Sequence, residues 1–83
     1  MKEHKNEIGT FEALGKKGEF EKRVHKTPRG GDYSILYCYN DNWEPCSREQ
    51  ATQCKIYEMT NDDKVLNVVI GRFNAKSEFD KSE

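Results

Sequence analysis

The sequence predicts a mainly β protein: a small antiparallel meander of about five strands, or a partly open barrel, with one short helix at most. Three observations predict it. Short runs alternate apolar and polar residues with period two. Clusters of Gly, Asn and Asp punctuate those runs. The 83 residues leave room for one domain and one modest core. An α+β arrangement, with residues 47–54 or the C-terminal tail packed as a helix, is the alternative.

Residues 1–7 are almost entirely polar and are expected to form a disordered end. Residues 9–14 (GTFEAL) read as a strand with Phe11 and Ala13 on one face. The sequence Gly15-Lys16-Lys17-Gly18 reads as the hairpin turn that follows. Residues 19–25 set Phe20, Lys22 and Val24 against Glu19, Glu21, Arg23 and His25, and Gly18 and Pro28 leave little length for a helix. Residues 26–31 (KTPRGG) are a loop by composition. Residues 32–40 (DYSILYCYN) form the clearest strand, with Tyr33, Ile35, Tyr37 and Tyr39 on one face and Leu36 and Cys38 on the other. Both faces are apolar, which places this strand centrally.

Asn40-Asp41-Asn42 turns the chain, and Ser47 followed by Gln50 fits a capping box for about one helical turn within residues 48–54. Residues 54–60 and 65–71 alternate again around a turn at 61–64. The ordered domain is expected to span residues 8–73. A flexible tail over 74–83 carries Phe79 as a docking point, with Phe73 just before it.

Composition bounds the function. A formal net charge of -1 argues against a globally basic nucleic-acid binder and against an acidic tail protein. No apolar run approaches the ~20 residues of a membrane helix, and MKEHKNE has no apolar stretch behind it of the kind a signal peptide needs. Cys38, Cys46 and Cys54 are odd in number, which suits reduced thiols in the cytoplasm. Their C-x7-C-x7-C spacing, with His25 upstream, lacks the tight knuckle that zinc usually requires. No metal or other cofactor is expected.

A nucleophilic cysteine would need a base and an oxyanion site. The imidazoles His4 and His25 fall in a polar end and beside Lys26. Asp41, Glu44, Asp62 and Asp63 sit in turns, where such residues satisfy backbone donors. Catalysis is therefore not expected.

Two surfaces remain. Tyr37 and Tyr39, with Trp43 in the polar turn NDNWEP, are the candidate partner-binding residues, because aromatics with a polar tip favour protein interfaces. Lys22, Arg23, Lys26 and Arg29 belong to a basic stretch over 16–29 and are the candidate anionic-ligand residues. The expectation is a non-enzymatic protein-binding or regulatory module acting through an aromatic patch or a sheet edge, with a protein partner or a second copy of itself. The alternative is a single-stranded nucleic-acid binder that stacks bases on the tyrosine row.

Overall fold

A computed structural model describes residues 3–73. The chain forms five strands, β1 (Glu7–Ala13), β2 (Lys16–Val24), β3 (Tyr33–Tyr39), β4 (Gln53–Met59) and β5 (Val65–Arg72). They pair antiparallel in sequence order, so the sheet is an open meander rather than a barrel, with β1 and β5 as its edges among the described residues. One 3-10 turn (Arg48–Gln50) is the sole helical element among the described residues, which sets aside the packed helix over 47–54. The expectations for the tail and Phe79 lie outside the described residues.

Register follows the period-two pattern. Phe20 lies opposite Tyr37, Ile35 opposite Tyr57, and Tyr37 opposite Lys55. These residues share a face with Phe11, Tyr39, Val68 and Ile70. The other face carries Glu21, Leu36, Cys38, Cys54, Ile56 and Glu58. Its buried cluster is Cys38, Cys46, Ala51, Cys54 and Phe73, flanked by Leu36 and Ile56. The core is thus one-sided. The 46–51 segment and Phe73 cover one end of one face, and no second layer packs on the aromatic face among the described residues.

The first hairpin differs from the sequence expectation. The chain turns at Leu14-Gly15, and Lys16 to Gly18 already belong to β2. Leu14 (φ 54) and Gly15 (φ 74) both take positive φ, as the two-residue turns that match strand twist require. Gly supplies that conformation freely; Leu does not, and a side chain in it costs about 1–2 kcal/mol. Leu14 is also 79% exposed, so no packing compensates. We expect Leu14→Asn to stabilise the fold by about 1 kcal/mol, since Asn tolerates this region. A urea midpoint that stays level or falls would contradict this account of the turn.

Gly18 has a different use. Where β2 and β3 diverge, the peptide of Cys46 is inserted into their ladder. The Glu19 N–H donates to the Cys46 carbonyl (3.0 Å), and the Cys46 N–H donates to the Cys38 carbonyl (3.3 Å). Pro45 and Cys46 then lie directly on Gly18, where a Cβ would come within 2.7 Å of Pro45 Cβ. The expected capping box is also absent: Ser47 makes no side-chain cap, and the Gln50 N–H bonds to the Ser47 carbonyl instead.

Candidate docking surface

The aromatic face is built by four strands. Phe11 from β1 meets Tyr37 edge-on (4.8 Å between ring centres) and Tyr39 (5.7 Å) from β3. Tyr37 in turn meets Phe20 of β2 (6.0 Å) and Tyr57 of β4 (5.4 Å). These rings are half-buried against each other, and no second layer covers them among the described residues. Burial, reinforced by the neighbouring Tyr57, pushes the Tyr37 hydroxyl up. Tyr39 shifts the same way, by burial and then by Tyr57 and Tyr37. At neutral pH both therefore present neutral O–H groups that donate and accept.

Trp43 extends this face past the end of β3. Its ring lies 5.6 Å from Tyr39, and Lys55 Nζ sits 5.3 Å from the Tyr39 ring and 5.5 Å from the Trp43 ring. The turn that carries it is organised by Asn40. The Trp43 N–H donates to the Asn40 carbonyl (3.0 Å), while Asn40 Oδ1 accepts from the N–H groups of Asn42 (2.9 Å) and Glu44 (3.0 Å). The Asn40 N–H closes the loop on the Glu44 carbonyl (2.9 Å). These bonds hold Trp43 at φ 60, a left-handed conformation that is a genuine outlier for a bulky residue. Leu14, the other bulky apolar residue at positive φ, lies at the same end of the sheet, across Phe11 and Tyr39.

Tyr37, Tyr39 and Trp43 are thus brought together. Phe11, Phe20, Tyr57 and Lys55 join them, although the sequence reading did not single these out as site residues. The alternation in residues 54–60 already placed Lys55, Tyr57 and Met59 on a common face. What the sequence hid was which face of β3 they would share.

The basic stretch is divided: Arg23 and Arg29 line one cleft together, and Lys22 lies on the other face. Lys22 lies on the aromatic face, where its Nζ donates to His4 Nδ1 (2.9 Å) and sits 4.6 Å from the Tyr33 ring. An ammonium can only donate, so His4 Nδ1 is the acceptor and Nε2 carries the proton it gives to the Asn61 carbonyl (3.2 Å). His4 also stacks on Tyr33 (4.2 Å), whose hydroxyl donates to Asp63 Oδ1 (2.5 Å) and is pushed up to about 12 by burial and by that bond. Arg23 points to the opposite face, its Nε on Glu21 (3.0 Å), which also accepts from Arg48 (2.7 Å). Lys26 pairs with Asp32 (3.1 Å). Arg29 lies in the β2–β3 loop and gives its backbone N–H to Glu58 (3.4 Å).

That opposite face holds a cleft of about 610 Å³ between the Thr27–Arg29 loop and Arg48, floored by Leu36, Ile56 and Val69. Glu58 and the Glu21–Arg48 pair line it.

The three cysteines converge in the core and are free thiols. Burial, with smaller help from neighbouring thiols, pushes Cys38 up to about 12; burial pushes Cys54 up to about 11, and Cys46 is raised for the same reason. Thiols in this state carry negligible thiolate at neutral pH, and the thiolate is the form that attacks and ligates. Among the described residues no group of three or more His, Cys, Asp or Glu side chains could hold a metal ion. No helix among them is long and apolar enough to cross a membrane. No protein-family model, curated protein or solved structure matches the chain.

Proposed function

We propose that this protein is a non-enzymatic docking module that offers its aromatic face to another protein, working in the reducing environment of the cytoplasm, where three unpaired thiols persist. The observation that carries this reading is Trp43. A bulky aromatic is kept in a left-handed turn where Gly or Asn would sit without strain, and its ring extends a half-buried aromatic surface. Backbone outliers of this kind cluster at binding and switch sites. Trp and Tyr are the residues most enriched at the energetic centres of interfaces.

Trp43→Gly separates the two uses of the residue. Relief of about 1–2 kcal/mol of backbone strain offsets the lost contacts with Tyr39 and Lys55, worth about 0.5–1.5 kcal/mol. Fold stability should therefore stay within about 0.5 kcal/mol of the parent. Partner capture from cell extract should weaken by about 2 kcal/mol or more, roughly thirtyfold. Equal capture by both proteins would remove Trp43 from the surface and the reading with it.

Lys55, poised beside Tyr39 and Trp43, favours the second reading, a single-stranded nucleic acid. The edge-on packing of Phe11, Tyr37 and Tyr57 works against it, because rings that pack on each other offer less face for base stacking. Trp43 fluorescence titrated with an oligothymidylate decides between them. Quenching that fades steeply between about 50 and 200 mM salt would mark phosphate binding by counterion release. A protein contact centred on Trp43 changes little over that range.

A further inference from the structure

The two edges of the sheet, unpaired among the described residues, are not equivalent. β1 carries Glu7 and Glu12 near its ends and Gly9 between them. Charges on an edge discourage further strands from adding. β5 carries one charge only, Arg72 at its last position. Between Lys64 and Arg72 it holds no charged residue, and Val65, Leu66, Val68 and Ile70 are 54%, 45%, 42% and 60% exposed. A long apolar edge of this kind is a template for pairing.

The hydrogen-bond pattern says which backbone groups are on offer. The Phe73 N–H donates to the Thr52 carbonyl (3.1 Å), in register with Arg72 opposite Gln53. Bonded and non-bonded pairs alternate along an antiparallel ladder. Gly71, Val69 and Asn67 therefore bond inward to β4. Val68 and Ile70 aim their N–H and C=O groups at the open edge, and their side chains stand on the aromatic face.

We propose that β5 is the seam of a homodimer, in which two copies pair antiparallel about a two-fold axis at Val69. In this register Val68 of each copy exchanges both backbone bonds with Ile70 of the other. The two Val69 side chains meet on the opposite face, Leu66 lies against Arg72, and Asn67 against Gly71. Every outward bonding group from 68 to 70 finds a partner, the apolar residues 68–70 face one another, and no charge opposes a like charge. That self-match is why the occupant is a second copy. The result is a ten-stranded sheet with both aromatic faces on one side. The guarded β1 edges at its ends stop the assembly at two subunits. A sheet with a one-sided core is small enough to gain from such an extension. The seam borders the aromatic face, since Ile70 lies opposite Lys55, but Trp43 itself lies outside β5.

Sedimentation of the full chain over a concentration series tests the proposal. The parent should reach twice its 9.7 kDa mass. Val68→Pro removes an N–H that bonds nothing within the monomer, so the β4–β5 ladder survives while strand addition is blocked. We expect a folded monomer by circular dichroism, with association weakened by about tenfold or more. Should that variant fail to fold, Ile70→Lys, at a 60% exposed position, makes the same test. Val69→Cys supplies a positive readout for the register. Directly opposed non-bonded residues bring their Cβ atoms within reach of a disulfide, so diamide should link Val69→Cys into a covalent dimer. The native thiols are buried and should not link. A parent that stays monomeric at every concentration would overturn the seam while leaving the Trp43 test untouched. A dimer that persists in a folded Ile70→Lys variant would overturn it too, and failure of Val69→Cys to link would overturn the register.

Discussion

Gly18→Ala should lower stability by about 2 kcal/mol, although alanine ordinarily improves on glycine in a strand by about 0.5–1 kcal/mol. The added Cβ would come within 2.7 Å of Pro45 Cβ, 2.8 Å of the Cys46 nitrogen and 3.0 Å of Phe11 Cε1. Pro45 and Cys46 cannot simply retreat. Cys46 is bonded to Glu19 on one side and Cys38 on the other, and the Arg48 N–H is bonded to Glu19 Oε1 (2.6 Å). Forcing atoms into a packed site typically costs about 1–3 kcal/mol, and each strained bond adds about 0.5–1.5 kcal/mol. These terms outweigh the entropic gain. Gly9→Ala is the control: there the Cβ meets only ring atoms of Phe20, at 2.9 Å, and a side chain yields more easily than a fixed backbone. Urea unfolding should separate the two variants clearly, with Gly18→Ala the worse. Trp43 emission should shift as well, because its turn leads directly into the displaced Pro45. Equal midpoints for Gly18→Ala and the parent would mean that the inserted Cys46 rung contributes little.

The contrast between glycines also explains which parts of this fold were legible in the sequence. Strands β3, β4 and β5 were readable to within about one residue, because period-two alternation is a local property that the sheet merely completes. The first hairpin was misplaced, because Gly15 and Gly18 look alike in sequence. One supplies positive φ at a turn and the other a flat place for a segment some thirty residues away. The same blindness affected charge. Counting Lys22 and Arg23 as one patch ignored the alternation that sends adjacent strand residues to opposite faces. His4 looked idle because its partner Asn61 is 57 residues distant. Trp43 was visible in the sequence as an aromatic in a polar turn, but its positive φ depends on the bonds around Asn40 and could be seen only in three dimensions.

Glu58→Ala should cost about 2–3 kcal/mol and remove part of the protein's sensitivity to acid. Its side chain is a buried acceptor on β4, 5% exposed, and it anchors the β2–β3 loop. It accepts from the Thr27 hydroxyl, from Asn67 Nδ2 (3.3 Å) and from the Arg29 N–H (3.4 Å). Thr27 Oγ1 in turn accepts from the Gly31 N–H (2.8 Å), so the loop hangs on a chain of donors that ends at this carboxylate. Truncation leaves those donors without an acceptor, which is costlier than never having placed them there. Burial acts to raise the Glu58 carboxyl, but the bonds from Thr27, Asn67 and Arg29 outweigh it and hold the group below the ordinary 4.5. A group lowered in the folded state stabilises it fully above its unfolded value and loses that contribution as pH falls through its folded value. Melting temperature should therefore begin to drop as pH falls below about 4.5. Glu21 acts in the same sense, since Arg23 and Arg48 overcome its burial, and so does Asp32, held down first by Lys26 and then by the Asn61 N–H. Glu58→Gln keeps an acceptor oxygen but cannot titrate, so its melting temperature should fall less steeply with acid than the parent's while retaining the slope due to Glu21 and Asp32. Parallel acid profiles for the parent and Glu58→Gln, measured by circular dichroism, would show that the loop does not depend on the ionised carboxylate.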